Sequence, residues 1–138
     1  MIKGKLSFIL IGVLAFGLLS GCQQRFQPLP KSPSYIIITR FHMDVSHLQT
    51  VKVTGKRMTQ LYKGLNASGK HIVPKNAVFS CPAARAENSW TYDIVIHYPT
   101  NVRLFVLSKE GCTFIKDSKD DLTLYPTTMP DLSNYFES

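Results

Sequence analysis

Asp93 and His97 carry side chains of the types that move protons in catalysis, and they stand four residues apart in the segment "YDIVIHY". Along an extended chain that spacing is about 13 Å, beyond the hydrogen-bond reach that proton transfer needs. They therefore read as polar positions on a half-solvated hairpin face. The segment "GLNASGKH", Gly64 to His71, satisfies the glycine and lysine spacing of a phosphate loop, but His71 stands where a magnesium-binding Ser or Thr belongs. His42 and His47 are five apart and His71 is isolated, so no helical zinc-ligand pair is spelled out. "KDSKDD", Lys116 to Asp121, has carboxylates but neither the ligand order nor the distant Glu of a calcium loop, and it reads as a solvated turn. No G-x-S-x-G nucleophile elbow occurs. These residues imply no enzyme, no cofactor and no metal site.

The cysteines are more informative, and Cys22 depends on what precedes it. Lys3 and Lys5 open the chain without an acid, and an apolar run from Leu6 to Leu19 follows. As a helix that run rises about 21 Å, short of the roughly 30 Å hydrocarbon core. A basic start, a short apolar middle and a small-residue exit describe an export signal rather than a span. Leu19-Ser20-Gly21-Cys22 resembles the lipobox of bacterial lipoproteins. The resemblance implies that the Cys22 thiol takes a diacylglyceryl group and that cleavage before it makes Cys22 the first residue. Two acyl chains on one residue give stable attachment where one chain is marginal. The expected location is therefore the bacterial membrane, with the folded part outside the cytoplasm. Gln23, not Asp, follows the anchor, which by resemblance to enterobacterial sorting leans towards an outer membrane where the host has one.

Export then bears on the other two cysteines. With Cys22 lipidated, Cys81 and Cys112 can form one disulfide in an oxidising compartment. A loop of that length is worth roughly 3–4 kcal/mol on the chain-entropy model. A reactive or metal-binding thiol pair is the competing reading, and no C-x-x-C spacing or nearby His supports it.

The expected organisation is a signal peptide over 1–21, a Pro-rich tether over 22–33 and one domain over 34–138. Loss of Lys3 and Lys5 lowers the formal charge from +7 to +5, spread without a basic block. Such a surface is weakly attracted to anionic lipid or wall polymer. No nucleic-acid motif is present. Pro28, Pro30 and Pro33 favour extended backbone, which would hold the domain some 30 Å off the membrane.

Within 34–138, "SYIIITRFHM" predicts a strand and Thr50 to Thr54 a second. Met58, Leu61, Tyr62 and Leu65 share one helical face, predicting a helix from Gly55 to Ala67 with Thr54 as N-cap and Gly69 as its stop. Val78 and Phe79 suggest a strand leading to Cys81. The segment from Trp90 to Ser108 predicts a hairpin turning at Pro99-Thr100-Asn101, which sets Tyr92, Ile94, Ile96 and Tyr98 on one face opposite Val102, Leu104 and Val106. A strand from Cys112 to Lys116 and a short helical tail at Leu132, Tyr135 and Phe136 follow. The expected class is α+β: an antiparallel sheet of about five strands, one main helix and a C-terminal helical segment in two layers.

"MTQLYKGL", "FSCPAA", "YDIVIHY" and "EGC" together are similar to a pattern in small exported, disulfide-closed bacterial proteins of unassigned activity. The resemblance spans Met58 to Cys112, supports the Cys81–Cys112 bridge and carries over no catalytic residue. Ala83-Ala84-Arg85 replaces the Asp and Gly usual after Cys-Pro. The helix covers one sheet face, so the other is either covered by the C-terminal segment (Leu122, Leu124, Tyr125, Tyr135, Phe136) or open. On this reading the second face carries Val95, Phe105 and Leu107 beside Arg103, with Trp90 at its edge. Trp90, Val95, Arg103 and Phe105 are the candidate partner-binding residues, and the loop Ala83 to Ser89 is the alternative. The expected function is a lipid-anchored binding or structural module at the cell envelope, meeting an envelope protein or an anionic wall polymer. The alternative is an inhibitor of an envelope-attacking enzyme such as lysozyme, although the S-G-x-x-R-Y type loop of one such family is absent.

Overall fold

The computed structural model describes residues 24–42, 47–81, 89–109 and 111–137. Its strands are β1 (Tyr35–His42), β2 (Gln49–Val53), β3 (Trp90–His97), β4 (Val102–Ser108), β5 (Phe114–Asp117) and β6 (Leu122–Leu124). They form one antiparallel sheet in the order β2-β1-β3-β4-β5-β6. Among the described residues one helix, α1 (Gly55–Ser68), lies between β2 and β3 in the chain, and a 3-10 turn (Leu132–Tyr135) follows β6. Among the described residues no helix is long and apolar enough to cross a membrane.

The core fills one face of the sheet. Ile36 and Ile38 of β1, Ile94 and Ile96 of β3, Phe105 of β4 and Ile115 of β5 are fully buried there beneath Leu61 and Leu65 of α1. The i, i+3, i+4, i+7 spacing of α1 therefore lands on the core as expected, Met58 and Tyr62 packing at its margin. Thr54 occupies the N-cap position without a side-chain cap bond, and the entry turn is carried by Gly55 at φ +64°. Gly69 ends the helix for a different reason from a left-handed stop. Its φ is −61°, and a Cβ there would collide with the Phe26 ring.

Four expectations are corrected. The sheet has six strands, not about five: β6 is a separate strand of three residues. No strand forms at Val78–Phe79, because the edge beyond β6 is taken by the chain just before it. Ile72 bridges Leu124, Val73 N–H donates to Thr123 O (2.8 Å) and Tyr125 N–H donates to His71 O (2.9 Å).

The third correction concerns the β3–β4 hairpin. His97, not Tyr98, pairs with Val102, so the connection has four residues, closed by Tyr98 N–H donating to Asn101 O (2.9 Å). One residue of register turns every β4 side chain over. Arg103, Phe105 and Leu107 share the core face with Ile96, Ile94 and Tyr92, while Val102, Leu104 and Val106 take the other.

The last correction concerns the Pro-rich leader. Leu29 is 4% exposed and belongs to the core, and Phe26 packs beside it. Leu29 N–H donates to Asn66 Oδ1 (2.9 Å) and Tyr62 Oη–H donates to Leu29 O (3.0 Å). The prolines keep this stretch extended, but its two large apolar residues find a groove between α1 and β4, so residues 26–29 are part of the domain.

Candidate functional site

Arg103 was expected on an open surface and instead anchors a buried ion pair. Its Nε and Nη2 donate to the two carboxylate oxygens of Asp117 at 3.2 and 2.6 Å, with both side chains almost wholly buried. Nη2 also reaches Asp120 (3.4 Å) and the carbonyl of Gln27 (3.5 Å), and Lys119 N–H caps Asp117 Oδ1 (3.1 Å). A fork of this kind satisfies both ions as they leave water. It ties the β5–β6 turn and the leader to β4. "KDSKDD" is thus only partly a solvated turn: Lys116 and Lys119 are exposed, but Asp117 is inside.

The remaining candidates are dispersed. Phe105 is fully buried in the core. Trp90 sits half-buried at the rim of the core face, 3.4 Å from the His42 ring centroid, with the Arg40 guanidinium 4.7 Å above it. Arg40 also lies 4.3 Å from the Phe136 ring, which binds the C-terminal turn to this rim. Val95 alone of the four lies on the opposite face. Cys22 and the loop residues 83–88 lie outside the described residues, whereas Ser89 is buried. Cys81 and Cys112 are joined by a disulfide, with Cα atoms 5.1 Å apart. The helical placement of Gly64 to Ser68 in α1 rules out a phosphate-loop backbone there. Among the described residues no group of His, Cys, Asp or Glu is placed to hold a metal ion.

The C-terminal turn, β6, Tyr135 and Phe136 all pack on the side of α1. Among the described residues no helix or strand packs on the other sheet face, which Phe79 meets at its β5 end through Phe114. Cross-strand register arranges it in rows. Ile37, Val95 and Leu104 run side by side with Lys52 at the β2 end. The next row is Thr39, Asp93, Val106 and Lys116. Tyr35, His97 and Val102 form the third, Tyr35 stacking on His97 at 4.4 Å between centroids. Asp93 sits near the middle with apolar side chains on the row beside it. Burial raises its carboxyl above the ordinary value, and it has no ion-pair partner among the described residues.

A second apolar cluster lies at the β5–β6 edge. Phe79, Phe114 and Tyr125 meet ring to ring, with centroids 5.0 to 5.7 Å apart. Phe79 is 38% exposed, Tyr125 37% and the neighbouring Val78 95%. Gln24, Lys75, Phe79 and Phe114 border one depression of about 240 Å³ beside it. Sequence reasoning missed this cluster because its members are far apart in the chain, though the disulfide flanks offered a signal: Phe79 lies two residues before Cys81 and Phe114 two after Cys112.

No protein-family model, no curated protein and no solved structure matches this chain.

Proposed function

We propose that this chain is a lipid-anchored module of the bacterial cell envelope, held by Cys22, whose work is to bind a protein partner through its open sheet face. The observation that carries the reading is that face: Ile37, Val95, Leu104 and Val106 only half-buried, with a carboxylate among them that has no ion-pair partner among the described residues. Half-buried apolar rows of this extent on a small domain mark an interaction surface. Asp93 favours a partner bearing a Lys or Arg opposite it, because a cation there would compensate a carboxylate already partly removed from water. The same carboxylate disfavours an anionic wall polymer as occupant. The lipobox supports the anchor, and the disulfide suits a domain folded outside the cytoplasm.

The test is capture from host envelope fractions by the full chain, compared with Val95→Ser/Leu104→Ser. Both side chains point away from the core, so the thermal midpoint should stay close to that of the parent. A single saturable protein captured by the parent and lost by the double variant supports the reading. Equal capture by both, or retention only on wall polymer that fades with salt, overturns it.

A further inference from the structure

We propose that the cluster of Val78, Phe79, Phe114 and Tyr125 rests in the headgroup layer of the bilayer that holds the chain, so that the domain lies on the membrane in one orientation. The inference rests on lipid attachment at Cys22. Packing of residues 26–29 into the domain removes the slack that a free leader would provide. Gln24 borders the same depression as Phe79 and Phe114. Gln23 alone stands between Cys22 and Gln24, so the two are at most about 7 Å apart even when fully extended. The polar layer on each side of the hydrocarbon core is itself roughly 5–8 Å deep. An acylated Cys22 at that level therefore brings the rim of this depression to the membrane surface.

What stands at that rim suits the place. Val78 is almost fully exposed and Phe79 and Tyr125 more than one-third exposed, an unusual display of apolar surface for one edge of a small domain. Aromatic rings are favoured at the headgroup boundary, where one side is apolar and the other wet. Lys75 borders the depression, and Lys116 is 61% exposed nearby, paired with Asp121 at 3.3 Å. Lys75 offers positive charge to anionic headgroups, while Lys116 offsets Asp121, which also borders the depression. The Cys81–Cys112 bridge holds the Phe79 segment against β5, so the cluster is presented as a fixed surface. The cluster meets the open sheet face only at its β5 end, through Phe114 and Lys116, and the rows around Ile37, Val95 and Leu104 are left for the protein partner.

The experiment uses the lipidated full chain in vesicles of phosphatidylethanolamine and phosphatidylglycerol. Val78→Trp and Val102→Trp each add a reporter at an exposed site, the second at the β3–β4 turn, which this orientation leaves outside the bilayer. The added emission is read against the parent chain, with and without brominated acyl chains, and the mass of the Cys22 peptide is measured alongside. An acylated Cys22 with strong quenching at position 78 and little at 102 is the expected result. An acylated Cys22 with equal quenching at both sites, or with none at 78, overturns the docked orientation and leaves the anchor standing. No acyl mass on Cys22 overturns both.

Discussion

Replacing Leu29 by alanine separates a docked leader from a free one. A residue in a solvated tether loses almost nothing on truncation, within about 0.5 kcal/mol. Leu29 is 4% exposed and packed with the buried residues between α1 and β4. Leucine-to-alanine changes at such sites cost about 2–5 kcal/mol, the transfer of the lost methyl groups plus the cavity left behind. Leu29 lies towards the end of the folded chain, where neighbours can partly close the space, so the expected cost is the lower end, about 2–3 kcal/mol. That lowers the folded-to-unfolded ratio roughly 30- to 150-fold. The assay is urea unfolding of the chain from residue 22 onward with Cys22→Ser, disulfide intact, followed by near-ultraviolet circular dichroism. Lys31→Ala, exposed and two residues along, is the control and should leave the midpoint in place. A Leu29→Ala midpoint indistinguishable from the control would refute the docked leader, and with it the short reach between Cys22 and the domain.

Arg103→Met should cost about 3–5 kcal/mol because it strands Asp117 inside the protein, whereas Arg103→Met/Asp117→Leu should recover most of that loss; a double-mutant cycle in urea measures both. Asp93→Asn should raise the thermal midpoint at neutral pH. The folded-state pKa of Asp93 lies above its unfolded value, so the folded form binds more protons between the two and stability falls as pH rises through that window. The advantage of the Asn variant should therefore shrink as the pH is lowered through the folded-state pKa, and an advantage that persists unchanged in acid would contradict the assignment.

The sequence carried the periodicities well and the pairings less well. The helix face, the extended run of β1 and the tail at Leu132, Tyr135 and Phe136 all follow from spacing, because each is a local property of one element. The side of β4 that faces the core does not, because it depends on whether Tyr98 pairs or turns, and alternation reads equally well either way. Val102, Leu104 and Val106 are apolar, and so are Phe105 and Leu107. Only the buried partner of Arg103, fourteen residues downstream, settles which set goes in. That is why a surface expected to hold Val95, Phe105 and Arg103 together is divided between the two faces. The leader was misjudged for a related reason. Three prolines signal an extended chain, and extension says nothing about whether the residues between them are solvated.

The leader's contacts also impose an order in time. Gln27 meets Arg103 and Lys119 across 76 and 92 residues of chain, and Leu29 meets Tyr62 and Asn66 across more than thirty. A chain that crosses a membrane N-terminus first delivers residues 24–29 long before their partners, so this stretch waits undocked until β4 and the β5–β6 turn have emerged. On the lipid anchorage proposed above, that interval would be the one in which a membrane-bound processing enzyme could reach the bond before Cys22. Closure of the domain removes the slack. If Cys22 is processed as proposed, variants that fold the domain early should accumulate as precursor, while variants that weaken Leu29 docking should mature faster than they fold.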